Sequence, residues 1–302
     1  MGKRTKHTHI ESQRFRTGLL FILPGAILSI VFVVVPLIMV IYLSFVEWNG
    51  ISKHIKFVGL KNYINLPEID GFADMMVSTF VFAFGVTILT ITISFIVALV
   101  LDKKGRGRIN RNVMRSLWFF PSLLSGAIVG ILWRIMYNYN NGVINEIFSA
   151  FGLSPVNWLE TKGVTNFAII VGNTWAQVGL CFVIFLAGLQ SIPTDLYEAA
   201  VLDGASSGQI LRKITFPMMA PSITINVVTT SIAAFRAYEL PYLISLGHPG
   251  KSTLMITQRI YFYGFQAQEY GRASALSVML TLIITAISLI QLVVLKKREE
   301  IY

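Results

Sequence analysis

Between Gly18 and Phe45 the chain runs for 28 residues without a charged side chain, and between Met75 and Leu101 it does so for 27. A helix needs about 20 predominantly apolar residues to cross a bilayer. Helices at the surface of a soluble domain carry an apolar stripe, not an apolar circumference. Further long, largely apolar stretches give six spans in all, at about 18–45, 75–101, 116–137, 165–189, 222–244 and 273–295. Within hydrocarbon, backbone polar groups must be satisfied inside their own segment, so these spans are read as helices. The expected fold is all-α and integral to the membrane. The first run is too long for the core of a signal peptide, so it reads as an uncleaved span, tilted or kinked at Pro24 or Pro36.

Charged residues make up 13% of the chain, against about 25% in soluble proteins. A net charge of +10 could suggest nucleic acid as a partner. The positions of the cations argue against it. Lys3, Arg4, Lys6, Arg14 and Arg16 precede the first span, and Lys103, Lys104, Arg106, Arg108, Arg111 and Arg115 crowd the loop after the second. Lys296, Lys297 and Arg298 follow the last. This clustering fits the positive-inside rule. It predicts a cytoplasmic tail over 1–17, a transmembrane domain over 18–295, a cytoplasmic tail over 296–302, and both termini inside. Cys181 is the single cysteine, so no intramolecular disulfide or cysteine-based metal site is expected.

Polar residues inside spans carry the functional expectations. Thr79, Thr87, Thr90, Thr92 and Ser94 in the second span can bond their own backbone or a neighbouring helix. Asn173 and Gln177, four apart, share a face of the fourth, with Trp175 one position off it. The fifth contains Asn226, Arg236, Tyr238 and Glu239, and Pro241 is expected to bend it. Arg236 and Glu239 are three apart and are expected to pair. Charge within a span costs about 2.5–3.5 kcal/mol on insertion scales, so such groups face protein or a water-filled cavity. Two readings stand for these residues: packing between helices, or a solute path in which Asn173, Gln177, Arg236 and Glu239 hydrogen-bond the solute and Tyr238 stacks on it. Arg134, near the outer end of the third span, is expected to snorkel to the interface. A small amphipathic helix is expected around Val143–Phe151 in the outside loop.

The longest polar interruption runs from 190 to 221. Pro193 cannot continue the preceding helix. Asp195 is expected to cap a short helix, with Glu198 reaching back. Gly204 is expected to end it, Ser206 and Gln209 to cap a second helix, and Pro217 to close that one. An ordinary cytoplasmic loop would show the same caps.

The spacing Glu198-Ala199-Ala200, Gly204, Ile214 and Pro217 resembles the EAA loop of ABC importer permeases. Tyr197, Asp203-Gly204-Ala205 and Pro221 resemble the carbohydrate-uptake branch, of the maltose and glycerol-phosphate type. Phe57-Val58-Gly59-Leu60-Lys61-Asn62-Tyr63 resembles a segment frequent in sugar permeases, and it also reads as an amphipathic surface helix. Phe216 stands where Leu is commoner, and His248 stands where the family usually has Gly.

The resemblance implies a type I importer permease in the plasma membrane. Glu198, Ala199, Ala200, Asp203, Gly204, Ile214 and Pro217 would form the element that docks on a separate ATPase. It further implies a second permease subunit, an ABC ATPase dimer, an extracytoplasmic solute-binding protein, a sugar substrate and surrounding lipid. No cofactor would be bound by this chain, and ATP and Mg would be used by the partner ATPase. A permease for a non-sugar solute is the alternative. A secondary transporter should show internal repeats, and none is evident. Gly250-Lys251-Ser252 imitates the end of a Walker A motif, but Ser245 stands where its first Gly should be. No His-Glu-x-x-His motif is present and the four histidines are scattered, so a membrane metalloenzyme is unsupported.

Overall fold

The structure is a computed structural model and describes residues 18, 20–102, 108–247 and 253–299, with 108–111 and 298–299 described in backbone only. The expected basic tail before Gly18, Lys103, Lys104, Arg106, His248 and the Gly250-Lys251-Ser252 segment lie outside the described residues. The chain divides into two compact units, residues 1–66 with 262–278 and residues 67–261 with 279–302.

The first unit begins with α1 (Leu20–Leu43), none of whose spanning window is buried. The helix is continuous through Pro24. Before Pro36 the helix widens by one residue per turn over Ile30–Val34, and the Val35 amide bonds back to the Ile30 carbonyl. Proline clashes with the carbonyl four residues back, and the wider turn relieves that clash. Strands β1 (Val46–Glu47) and β2 (Lys56–Phe57) then pair antiparallel, Val46 opposite Phe57. The segment expected to be an amphipathic helix is therefore β2 followed by a single helical turn, Lys61–Ile64. Asn62 Nδ2 donates to the carbonyls of Ser44 and Val46, both at 2.9 Å. Trp48 packs against Tyr270 with the rings tilted at 43° and their centroids 5.5 Å apart. At Gly271 an added Cβ would lie 2.0 Å from the Val46 carbonyl oxygen, so only glycine fits.

The second unit is built on α2 (Phe72–Asp102) and α6 (Val164–Ser191). Val97, Ala98 and Leu101 of α2 and Phe182, Phe185, Leu186 and Leu189 of α6 form one buried cluster. Thr79 and Thr87 bond the carbonyls of Met75 and Ala83 in their own helix, while Ser94 Oγ donates across to the Val178 carbonyl at 3.0 Å. Both expected uses of these hydroxyls are present.

The third span is not one straight helix. α3 (Arg108–Phe119) and α4 (Gly126–Met136) are separated by a tight turn over Phe120–Leu123, and the bend between the two parts is 100°. Pro121 sits in that turn. Ser125 restarts the helix, its side chain accepting from the Ile128 amide. Gly179 of α6 admits the bend: a Cβ there would meet the Trp118 carbonyl oxygen at 2.7 Å. Arg134, in the last turn of α4, is exposed.

Outside these helices, α5 (Val143–Ala150) forms where the small amphipathic helix was expected. Asn145 holds its loop together. It donates to the carbonyls of Tyr139 and Val156 and accepts from the Val156 amide and Trp158 Nε1, all at 3.0–3.1 Å.

The fifth span is broken as well. α8 (Ser207–Met218) and α9 (Ala220–Phe235) bend by 64° at Met219, and α10 (Glu239–Ser245) restarts after Arg236–Tyr238. The bend expected at Pro241 is a break before Glu239 instead. Thr257 Oγ1, in α11 (Ile256–Tyr261), donates to the Ala237 carbonyl freed by that break, at 2.8 Å. Most of the last helix, α12 (Tyr270–Glu299), belongs to this unit, and Gln291 Nε2 donates to Ser231 Oγ of α9 at 2.9 Å. Counting each bent pair as one, six segments among the described residues are long and apolar enough to cross a membrane.

Candidate functional site

Between α6 and α9 a hairpin of two helices stands clear of the packed core. α7 (Thr194–Leu202) starts two residues earlier than a helix capped by Asp195 would. Pro193 occupies the cap position with no side-chain bond, which corrects the expected Asp195–Glu198 capping box. Asp195 remains in the first turn, where its charge complements the helix dipole. Glu198, relieved of any capping bond, is exposed, as is Ala199.

The end of α7 follows from Gly204. Its φ is +74°, a conformation that costs most L-residues about 1–2 kcal/mol. It allows the Ala205 amide to reach the Ala200 carbonyl at 2.9 Å and the Gly204 amide to reach Val201 at 3.1 Å. This pair of bonds is a Schellman closure. The expected box at the start of α8 is present: the Ser206 amide donates to Gln209 Oε1 at 2.7 Å and the Gln209 amide to Ser206 Oγ at 3.4 Å.

Pro217 does not end α8. The helix widens over Leu211–Thr215, as α1 does before its proline, and continues to Met218. Ala200, Asp203, Gly204 and Ile214 line a recess of about 340 Å³ between the two helices, with Lys213 and Gln209 at its rim. Two apolar side chains project outward beside the exposed carboxylates of this helix: Leu202 is 87% exposed and Val201 63%.

The hairpin is also tied to the core. Tyr197 Oη and Thr215 Oγ1 are 3.2 Å apart, linking α7 to α8. Tyr197 packs on the cluster that joins α2 and α6, which also includes Ile192 and Met219. A force on α7 therefore reaches α2, α6 and the bend at Met219 through packed side chains.

The structure groups the membrane-embedded polar residues differently from the sequence expectation. Gln177 Nε2 donates to Asn173 Oδ1, so these two do act together. Asn173 is buried, while Gln177 lines a cleft of about 280 Å³ with Cys181, Asn226, Thr229 and Thr230. Asn226 is fully buried and its Oδ1 has no partner among the described residues. Arg236 and Glu239 are both exposed, lie on either side of the helix break, and form no ion pair with each other among the described residues. The expected pairing presumed a continuous helix through both. Tyr238 stacks on Tyr261 at 4.9 Å and on Tyr242 at 5.7 Å, a three-ring cluster that sequence spacing did not reveal.

Residues 69–299 match the family described as the binding-protein-dependent transport system inner membrane component. The chain is 34% identical to the probable starch degradation products transport system permease protein AmyD of Thermoanaerobacterium thermosulfurigenes, over 96% of this chain and 98% of that one. It is 31% identical to the trehalose/maltose transport system permease protein MalF of Thermococcus litoralis, over 96% and 97% respectively. Among solved structures, a chain of a bacterial ABC transporter involved in import of the acidic polysaccharide alginate superposes with a TM-score of 0.83 at 21% identity, covering 96% of this chain and 99% of that one.

Proposed function

The chain belongs to the binding-protein-dependent transport system inner membrane components, and from that premise we propose that it is the permease subunit of an ATP-driven importer of sugars or oligosaccharides. It is a multi-pass protein of the inner membrane, and its family serves transport rather than catalysis. The two relatives are named for transport of starch degradation products and of trehalose/maltose, which supports a carbohydrate solute. In this reading ATP and Mg are used by a separate ATPase dimer. A second permease completes the path, and a solute-binding protein delivers the sugar from outside.

The observation that carries the reading is the α7–α8 hairpin. An exposed helix ending in Leu202, closed by Gly204 and tied to the core through Tyr197, suits a coupling element. Glu198, Ala199, Ala200, Asp203, Gly204, Ile214 and Pro217 form or support its docking face. Closure of the ATPases on ATP would push this face, and the bend at Met219 would pass the motion to α9. The spans would then alternate between inward- and outward-facing arrangements. Asn173, Gln177, Arg236, Tyr238 and Glu239 are assigned to the path, where amide and charged groups hydrogen-bond sugar hydroxyls. The test is purification of the tagged chain in mild detergent. Stoichiometric recovery of an ATP-hydrolysing subunit and a second permease is expected, and recovery of the chain alone would reject the reading.

The same reading places both termini and α7 in the cytoplasm. Asn112 and Asn140 are both exposed, whereas Asn145 is engaged in its loop. Single cysteines at Asn112 and Asn140, in a Cys181→Ser background, are expected to react differently with an impermeant thiol reagent in intact cells. Position 140 should label and position 112 only after lysis. The reverse pattern would invert the topology.

A further inference from the structure

With the start of α1 in the cytoplasm, β1, β2 and the turn Lys61–Ile64 lie outside, as does the start of α12. Cations are depleted from outside segments. Yet Lys53, Lys56 and Lys61 fall in this one, and no Asp or Glu occurs between Glu47 and Glu68. The outer segment 138–163 has one cation, Lys162, beside Glu146 and Glu160. Lys56 stands on β2 and Lys61 opens the helical turn that follows. Both are exposed, and neither side chain forms an ion pair or hydrogen bond among the described residues.

These two lysines border a polar cleft of about 610 Å³ within the first unit. Trp48, His54, Asn65 and Gln268 also line it, as does the ion pair of Arg272 with Glu269, 2.8 Å apart. The cleft is preformed, because the loop from β1 to β2 is fixed. Asn49 Oδ1 accepts from the amides of Ile51 and Ser52 at 3.1 and 2.8 Å, and Trp48 Nε1 donates to the Ser52 carbonyl at 2.8 Å. The Tyr270 amide in turn donates to the Trp48 carbonyl at 3.1 Å. Glu47 lies opposite Lys56 in the ladder and lines the cleft too. One carboxylate against two lysines, with Arg272 and Glu269 cancelling, leaves the cleft cationic. Ile51, 75% exposed, and Ile55 belong to the same loop. Apolar side chains within a polar rim are the composition of a protein contact.

We propose that this cleft receives an acidic loop of the solute-binding protein, an inference that rests on the reading of the chain as a binding-protein-dependent permease. Carboxylates of that protein meet Lys56 and Lys61, its polar groups bond Asn65 and Gln268, and Ile51 and Ile55 take apolar contacts. A neutral sugar would leave the lysines without counter-charge. A lipid phosphate would leave Glu47 without a donor. Opposite charge across such a contact speeds encounter and rejects wrong partners, so the cleft selects which binding protein this importer accepts.

The test titrates the purified importer, in lipid nanodiscs, with its fluorescently labelled, sugar-loaded solute-binding protein. Recovery of the ATPase and the second permease with each variant reports assembly, so failure of this proposal is distinct from failure of the proposed function. K56E/K61E should weaken binding about tenfold or more at low salt and remove most of its salt dependence. K56R/K61R should bind as the unmodified importer does. Unchanged binding by K56E/K61E, or equal loss in both variants, overturns the site. Acylation of Lys56 and Lys61 by an N-hydroxysuccinimide ester, read by mass spectrometry, identifies the occupant. Both lysines should react in the importer alone and with maltotriose alone, and be protected once the binding protein is added. Protection without the binding protein would mean that lipid, the second permease or sugar covers the cleft, and would also overturn the proposal.

Discussion

Gly204→Asp should reduce uptake to background while leaving the subunit inserted in the membrane at its normal level. Nothing lies within 4 Å of a Cβ at this position, so the isolated chain has room for the side chain. Asp is also one of the few L-residues that tolerate the left-handed conformation Gly204 adopts. The fold therefore bears a modest strain, and the main effect falls on whatever docks there. An unpaired carboxylate buried in an interface costs several kcal/mol, enough to separate partners that associate through this surface. Glu198→Lys, exposed on the same helix, should behave similarly by reversing a charge offered to the partner. Gly204→Asn adds the same bulk without charge and should retain more uptake than Gly204→Asp. The comparison is read from transport of a labelled sugar and copurification of the ATPase. Wild-type uptake by Gly204→Asp would remove Gly204 from the docking face.

Gln177→Leu should lower uptake about tenfold or more with assembly and ATP hydrolysis intact, because it removes the amide that reaches the cleft beside Asn226 and Thr230. Asn173→Leu should act through the same group. Asn173 is buried and accepts from Gln177, so its loss frees Gln177 to turn away from its position. The double variant should then be little worse than Gln177→Leu alone, since contacting residues do not act additively. Unchanged uptake across a range of sugar concentrations would exclude this pair from the path. Loss of assembly would assign both residues to packing.

The parts of the fold readable in the sequence were those fixed by local chemistry. Ser206 and Gln209 form their box because both partners lie within one helical turn. Gly204 closes α7 because few other residues adopt its φ without strain. The Asp195 cap was misread by two positions: with Pro193 as the cap and the helix beginning at Thr194, Glu198 is too far along to bond back. Prolines were a poorer guide. At Pro36 and Pro217 a wider turn absorbs the clash and the helix continues, whereas no proline marks the break after Phe235. That break is bound by Thr257, a contact 20 residues away that no local pattern reveals. The same break separates Arg236 from Glu239. The three-tyrosine cluster likewise depends on Tyr261, brought beside Tyr238 by tertiary packing.

A photocrosslinking amino acid at Leu202, the most exposed large apolar side chain of α7, tests the docking role of the hairpin. Irradiation of intact cells followed by mass spectrometry identifies what lies against it. A single major adduct with an ATP-hydrolysing subunit is expected, lost in the Gly204→Asp background and absent when the probe is at Asn140. An adduct only with lipid or with the extracytoplasmic binding protein, in cells that import sugar normally, would contradict it.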